Sequence, residues 1–166
     1  MPDRRMHLPD RRVLFWMDVE DEVQRRAKKK NLNFSLTGPL ARRWKRFVRE
    51  EDGFKIYAVK GETVRNNLSV IFGHGGHGYV HEFIPLDEIW VDTHHYACLG
   101  GCGCDNLKRK NQLVSSKYFE STIIHEKTEF WLMAKGIIFY QADQIARREE
   151  IKMGLLPDPT SEVDNF

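Results

Sequence analysis

The stretch KYFESTIIHEKTEFWLMAK (117–135) decides the fold. Its apolar residues Phe119, Ile123, Ile124, Phe130, Trp131, Leu132, Met133 and Ala134 surround most of the circumference when wound as an α-helix. That pattern predicts a buried central helix rather than one lying on a surface. Gly136 stands where a C-terminal cap belongs, and a second helix is predicted over 139–152, with Pro157 and Pro159 ending order beyond it. Two helices so closely joined make a C-terminal helical hairpin.

Upstream the pattern changes period. Phe54, Ile56 and Ala58 alternate with polar residues, and Gly61 supplies a turn before another strand-like run ending at Phe72. GHGGHG (73–78) has four glycines in six positions and reads as a flexible turn or a loop of close approach. Tyr79 to Ile84 and Glu88 to Val91 read as two strands joined through Pro85-Leu86-Asp87. Earlier, Thr37-Gly38-Pro39 opens a helix with an apolar stripe of Leu40, Trp44, Phe47 and Val48, ended by Asp52-Gly53. Val13 to Met17 reads as a short buried strand, and Asp18 as the cap of a helix running to about Lys30. The expected fold class is α+β: a small, mainly antiparallel sheet packed on helices, with the helical hairpin at its end. A flexible N-terminal arm (1–12), a single domain (13–154) with a Cys/His-rich loop (93–115), and a tail (155–166) complete the expected organisation.

Composition narrows the class. At 166 residues, with 41% apolar and 30% charged residues, the chain has a globular rather than a disordered composition. No apolar run approaches the ~18 residues of a membrane helix, and MPDRRMHLPDRR (1–12) has no apolar stretch of the signal-peptide kind. A cytoplasmic protein without membrane partners is expected. Three cysteines within seven positions exclude a disulfide framework. Residues 1–50 hold 14 Lys+Arg against 7 Asp+Glu, and the remainder 12 against 17, so the net +2 hides a basic front and an acidic rest.

The chemistry lies inside the most apolar helix, at His125-Glu126-Lys127-Thr128-Glu129. His125 and Glu129 are four residues apart, roughly 40° around a helix, so both side chains can address one atom. Glu126 stands next to the pair and can reach a metal-bound water as a base. Asp143 and Glu150, seven residues apart on the following helix, share a face. A hairpin brings Asp143 opposite His125 and Glu129, making one imidazole and two carboxylates with a coordination position left open. Glu150 is then either an orienter of these ligands or an alternative ligand. Metal-free pairing of the same residues, as an i,i+4 contact and an Asp143 ion pair, is the plainer alternative.

VRNNLSVIFGHGGHGYVHEFIPLDEIWVD (64–92) and IIHEKTEFWLMAKGIIFYQADQIARREE (123–150) together resemble a family of small bacterial and phage proteins with no assigned function. Its members carry a Gly-rich turn, an IP..E.W.D hairpin and an HE..E..LM..G..Y..A helical pair, and the likeness covers about half the chain. More distantly, a β edge before an HExx(H/E) helix is similar to minimal zinc metallopeptidases. That resemblance implies ligand roles for His125 and Glu129 and a base role for Glu126. The chain departs from these patterns at Glu129 and Asp143, where histidines are expected, and at Ile138, where relatives have a capping Ser. A carboxylate-rich set weakens the case for zinc and raises manganese or iron.

Other motifs point elsewhere. His94, His95, Cys98, Cys102 and Cys104 form HHxxCxxxCxC, and His95 with the three thiolates would fill a structural zinc shell, the alternative being a free-thiol loop. His74, His77 and His81 around the glycines read as incidental imidazoles of a surface hairpin, the alternatives being that the three ligate a metal or that one lines the cleft beside His125. Glu82, Glu88 and Asp92 read as that hairpin's solvent face. RRWKRFVR (42–49) interleaves bases with Trp44 and Phe47, a pattern that can grip nucleic acid, although both rings fall on the core stripe. LKRK (107–110) adds to the same basic character. Two functions are therefore expected in competition. One is a metal-dependent hydrolase of minimal metallopeptidase type, acting on a substrate such as a peptide. The other is a non-enzymatic nucleic-acid- or protein-binding module, of the phage-regulator kind, with a structural zinc.

Overall fold

The computed structural model describes residues 34–69, 71–95 and 112–153. The expected arm, the strand at 13–17, the helix at 18–30, Cys98, Cys102, Cys104, LKRK and the tail lie outside the described residues. In chain order the elements are α1 (Gly38–Ala41), β1 (Lys45–Glu51), β2 (Phe54–Val59), α2 (Gly61–Asn67), β3 (Gly75–His77), β4 (Glu88–Asp92), α3 (Ser116–Ala134) and α4 (Phe139–Lys152). The strands form one mixed sheet in the order β1-β2-β4-β3, antiparallel at β1–β2 and β4–β3 and parallel at β2–β4. The α+β class, the mainly antiparallel sheet and the C-terminal helical hairpin all stand as the sequence predicts. Among the described residues no helix is long and apolar enough to cross a membrane.

Strand alternation sorts the core into two faces. Phe54 and Ile56 of β2 and Ile89 and Val91 of β4 point toward α3, where they meet Ile123. Val59 and Trp90 point the other way, onto Trp44, Val64, Leu68, Phe72 and Ile84. β4 is covered on both sides, which is why Ile89-Trp90-Val91 is continuously apolar.

The segment after Pro39 corrects the expected long helix. Only Gly38–Ala41 is helical, and Lys45–Glu51 is a strand paired with β2. The reason lies at Asp52-Gly53, whose φ values of 52° and 83° make a tight hairpin turn. Asp-Gly between two runs is the hairpin signal, and it outweighs the helical spacing of the stripe. Trp44 remains in the core, but Phe47 is 53% exposed, lying edge-on to Tyr57.

Two strand expectations also fail. The run after Gly61 is helix α2, because Asp92 at the end of β4 accepts the Gly61 backbone N–H at 3.0 Å and pairs with Arg65 at 3.0 Å. Tyr79–Ile84 is a series of turns in which the Val80 and His81 N–H groups both donate to the His77 carbonyl. β4 pairs instead with β3, inside the glycine-rich segment. Asp92 is buried in its contacts with Gly61 and Arg65, and Glu88 accepts from Lys45 and from Trp90 Nε1, so neither belongs to a solvent face.

The glycines of β3 serve close approach. A Cβ on Gly75 would lie 2.7 Å from Thr122 Cγ2 and 3.1 Å from Glu126 Cγ, so only glycine lets β3 rest on α3. Helix α3 begins with Ser115 accepting the Tyr118 N–H at 3.1 Å. It ends in a Schellman turn: Gly136 at φ 92° donates to the Met133 carbonyl, and Ile137 donates to that of Leu132. That turn folds α4 back along α3. The buried side of the helix is mixed rather than apolar: Ser121, Thr122, Glu126, Lys127 and Glu129 are buried beside Ile123 and Met133, while Trp131 is partly exposed.

Gly61 provides a test of the Asp92 linkage. An alanine Cβ there would fall 1.9 Å from Asp92 Oδ2, so Gly61→Ala must break the capping contact or the Arg65 pair. A loss of about 2–4 kcal/mol is expected in urea unfolding. Gly53→Ala meets no neighbouring atom and carries only its left-handed backbone strain, about 1 kcal/mol. Equal losses at the two positions would show that Asp92 does not organise α2.

Candidate metal centre

Three elements converge on one polar cluster. α3 supplies His125, Glu126 and Glu129, α4 supplies Asp143 and Glu150, and β3 supplies His77. His125 Nε2 lies 3.2 Å from Glu129 Oε2 and 2.9 Å from Asp143 Oδ1. Its other nitrogen, Nδ1, lies 3.0 Å from Glu150 Oε2, and Glu150 Oε1 accepts the Ser121 hydroxyl at 2.6 Å. Glu129 extends its second oxygen, Oε1, to His77 Nε2 at 2.7 Å. Glu126 Oε2 stands 3.9 Å from the same His77 nitrogen.

The hairpin thus brings His125, Glu129 and Asp143 together, and Glu150 is on the far side of the imidazole from the other two carboxylates. Their donor atoms lie within 4.8 Å of one another, close enough to hold one metal ion. His77, Glu126 and Glu129 form a second such group, sharing Glu129 with the first. His125 Nδ1 facing Glu150 leaves Nε2 turned to the carboxylates, which is how an outer carboxylate orients a ligating histidine. Asp143, with its side chain 32% exposed, is the side on which the cluster meets solvent, whereas His77 and Glu129 are buried.

The electrostatics are those of a cation site. Four carboxyl groups lie within the cluster, and among the described residues no lysine or arginine pairs with any of them. Burial opposes charge on His125, but hydrogen bonds to Asp143, Glu129 and Glu150 overcome it and hold its pKa well above the ordinary histidine value. Burial, followed by the charge of Glu129, lifts Glu126 well above the ordinary carboxyl range. Glu129 moves the other way: burial would raise it, but hydrogen bonds from His125 and His77 pull it down. Shared protons among these groups offset the cost of burying acids away from lysine and arginine.

The surface-hairpin reading fails at His77, and the alternative of one histidine beside His125 fits: through Glu129, His77 joins the same cluster. Its side chain is fully buried, edge-on to Phe130 and beside Tyr79. The available signal was the glycine two positions earlier, Gly75, which removes the Cβ that would hold β3 off α3. His95 is also buried, its ring 4.7 Å from that of Tyr118, while the cysteines expected to join it lie outside the described residues. The ends of the 93–115 segment are tied together by backbone bonds from His95 to Gln112 and from Val114 to Thr93. On the basic segment, Lys45 pairs with Glu88 and Arg49 with Glu120 and Glu51, while Arg42, Arg43 and Arg46 are exposed.

Comparison of the chain with protein-family models, with curated proteins and with solved structures gives no match.

His74, on the approach to β3, provides a pH test. Burial above all, helped by the positive charges of His95, Arg65 and His125, pushes its imidazole down to about 3. The unfolded chain takes up a proton at this residue near pH ~6.5 but the folded chain does not, so stability falls as pH drops from ~6.5 toward 3. Between pH 7.5 and 4.5, wild type should lose on the order of 2 kcal/mol more than His74→Gln in urea unfolding. An equal loss in both proteins would mean that His74 protonates within the fold.

Proposed function

We propose that the protein is a metal-dependent hydrolase of the minimal metallopeptidase type, with one divalent ion held by His125, Glu129 and Asp143. The observation that carries this reading is the division of labour at His125, with Nδ1 tied to Glu150 and Nε2 presented to two carboxylates. A solvated or purely structural histidine has no need of three acidic partners, and among the described residues no lysine or arginine pairs with the buried carboxylates there. One imidazole and two carboxylates suit zinc, and equally manganese or iron, whose preference for oxygen donors is stronger. Such an ion supplies Lewis acidity and makes water a stronger acid.

The chain's own residues divide the remaining work. Glu126, next to His125 and buried beside the donor set, accepts the proton of the attacking water and returns it to the leaving group. Glu150 and Ser121 hold the imidazole in its ligating orientation. Asp143, on the more exposed side, marks where a substrate such as a peptide enters.

Bound metal, counted by plasma mass spectrometry, tests the proposal on wild type, His125→Ala/Glu129→Ala, and Cys98→Ser/Cys102→Ser/Cys104→Ser. Wild type should carry an ion that the helix variant loses and the cysteine variant keeps. Glu126→Gln should keep the ion and lose at least 100-fold in cleavage of a fluorogenic peptide library, the scale of a general base. Saturating wild type with the ion at about 100 times Kd should stabilise it by about 2.7 kcal/mol. Metal that disappears only with the cysteines would overturn the hydrolase reading. The binding module would then stand in its place, tested by salt-dependent affinity for nucleic acid through Arg42, Arg43, Arg46 and the exposed Phe47.

A further inference from the structure

Glu129 belongs to both donor groups, and this poses a choice that the distances alone leave open. Either its carboxylate bridges two ions, one with His125 and Asp143 and one with His77 and Glu126, or it serves one ion and is held from behind by His77. The hydrogen bonds on the two imidazoles discriminate between these arrangements. His125 faces carboxylates at both nitrogens, so Glu150 can keep a proton on Nδ1 when Nε2 gives up the one it shares with Asp143 and Glu129 and turns its lone pair to an ion. His77 is the reverse. Its Nδ1 accepts the backbone N–H of Tyr79 at 3.2 Å and therefore carries no proton. The ring's one proton sits on Nε2, where it is donated to Glu129 Oε1 at 2.7 Å.

We propose that His77 is a positioning residue of a single-ion centre, whose Nε2–H engages Glu129 Oε1 so that Glu129 presents only Oε2 to the ion. The proposal rests on the metal reading above and adds to it the reason one coordination position stays open. A carboxylate with one oxygen occupied by a donor binds through the other, whereas a released carboxylate swings to bind through both. The fold holds His77 in this role firmly. The ring is fully buried against Phe130, Tyr79 grips its far nitrogen, and Gly75 lets the whole strand sit on α3.

The test uses the full chain loaded with Co(II), whose visible absorption weakens as its coordination number rises. Wild type, His77→Leu and His77→Gln are compared by metal count, by affinity against a competing chelator and by spectrum. The glutamine amide can donate to Glu129 from nearly the same place as Nε2; leucine cannot. Expected are one equivalent in all three proteins, a 10–100-fold weaker affinity and a dimmer spectrum for His77→Leu, and recovery of both in His77→Gln. Long-range proton–nitrogen NMR on wild type loaded with diamagnetic zinc reads the tautomer without any variant, and should find the His77 proton on Nε2. Two equivalents in wild type with one lost in His77→Leu, or a His77 proton on Nδ1, would make His77 a ligand and overturn the proposal. Unchanged affinity and spectrum in a folded His77→Leu would reduce it to packing. A wild type that takes no cobalt at all would instead remove the metal reading itself, and this proposal with it.

Discussion

Carboxylates are expensive to take out of water, and this chain buries several around two imidazoles with no lysine or arginine among the described residues paired to them. The buried side of α3 accordingly sets Ser121, Glu126 and Glu129 among Ile123 and Met133, at positions a purely structural helix would fill with leucine. The surrounding fold is arranged to bear that cost. The sheet faces carry the apolar burial, with Ile56, Ile89 and Trp90 almost wholly covered. The polar cluster is confined to the seam where α3, α4 and β3 meet. Ion pairs elsewhere, Lys127 with Glu51 and Asp52 and Arg49 with Glu120, fasten the β1–β2 hairpin to the outer side of the same helix.

Local signals in the sequence carried the parts of the structure that are themselves local. The hairpin of α3 and α4 follows from apolar spacing and from Gly136, and the meeting of His125, Glu129 and Asp143 follows from the hairpin. What escaped depends on partners distant in sequence. The stripe Leu40, Trp44, Phe47 and Val48 has helical spacing, yet β1 forms because β2 is available to pair with it across Asp52-Gly53. The run after Gly61 becomes a helix because Asp92, thirty-one residues on, accepts its first N–H. His77 is one of three histidines in a glycine-rich string, and nothing adjacent to it indicates that Glu129 will be its partner.

The two histidines show how a backbone contact can settle a chemical identity. His125 and His77 approach the same carboxylate from opposite sides at 3.2 and 2.7 Å, so proximity gives them equal standing as ligands. What separates them is the atom behind each ring. A carboxylate behind His125 can keep the ring's proton when Nε2 releases its own to an ion, whereas an amide behind His77 leaves Nε2 as the only nitrogen to carry one. Metal-site assignments made by counting donors would miss this difference.

The connection at Gly136 also has a consequence for the order of assembly. His125 is joined to Asp143 across 18 residues and to Glu150 across 25, whereas His77 reaches Glu129 across 52. Closing a longer loop costs more chain entropy, and contacts near in sequence form sooner. A folding chain therefore gathers the acids of the helical pair around His125 while the sheet is still forming. Glu129 is fixed from behind only when β3 docks on α3, so the polar cluster is completed by the packing of sheet against helices and not by the helical pair alone.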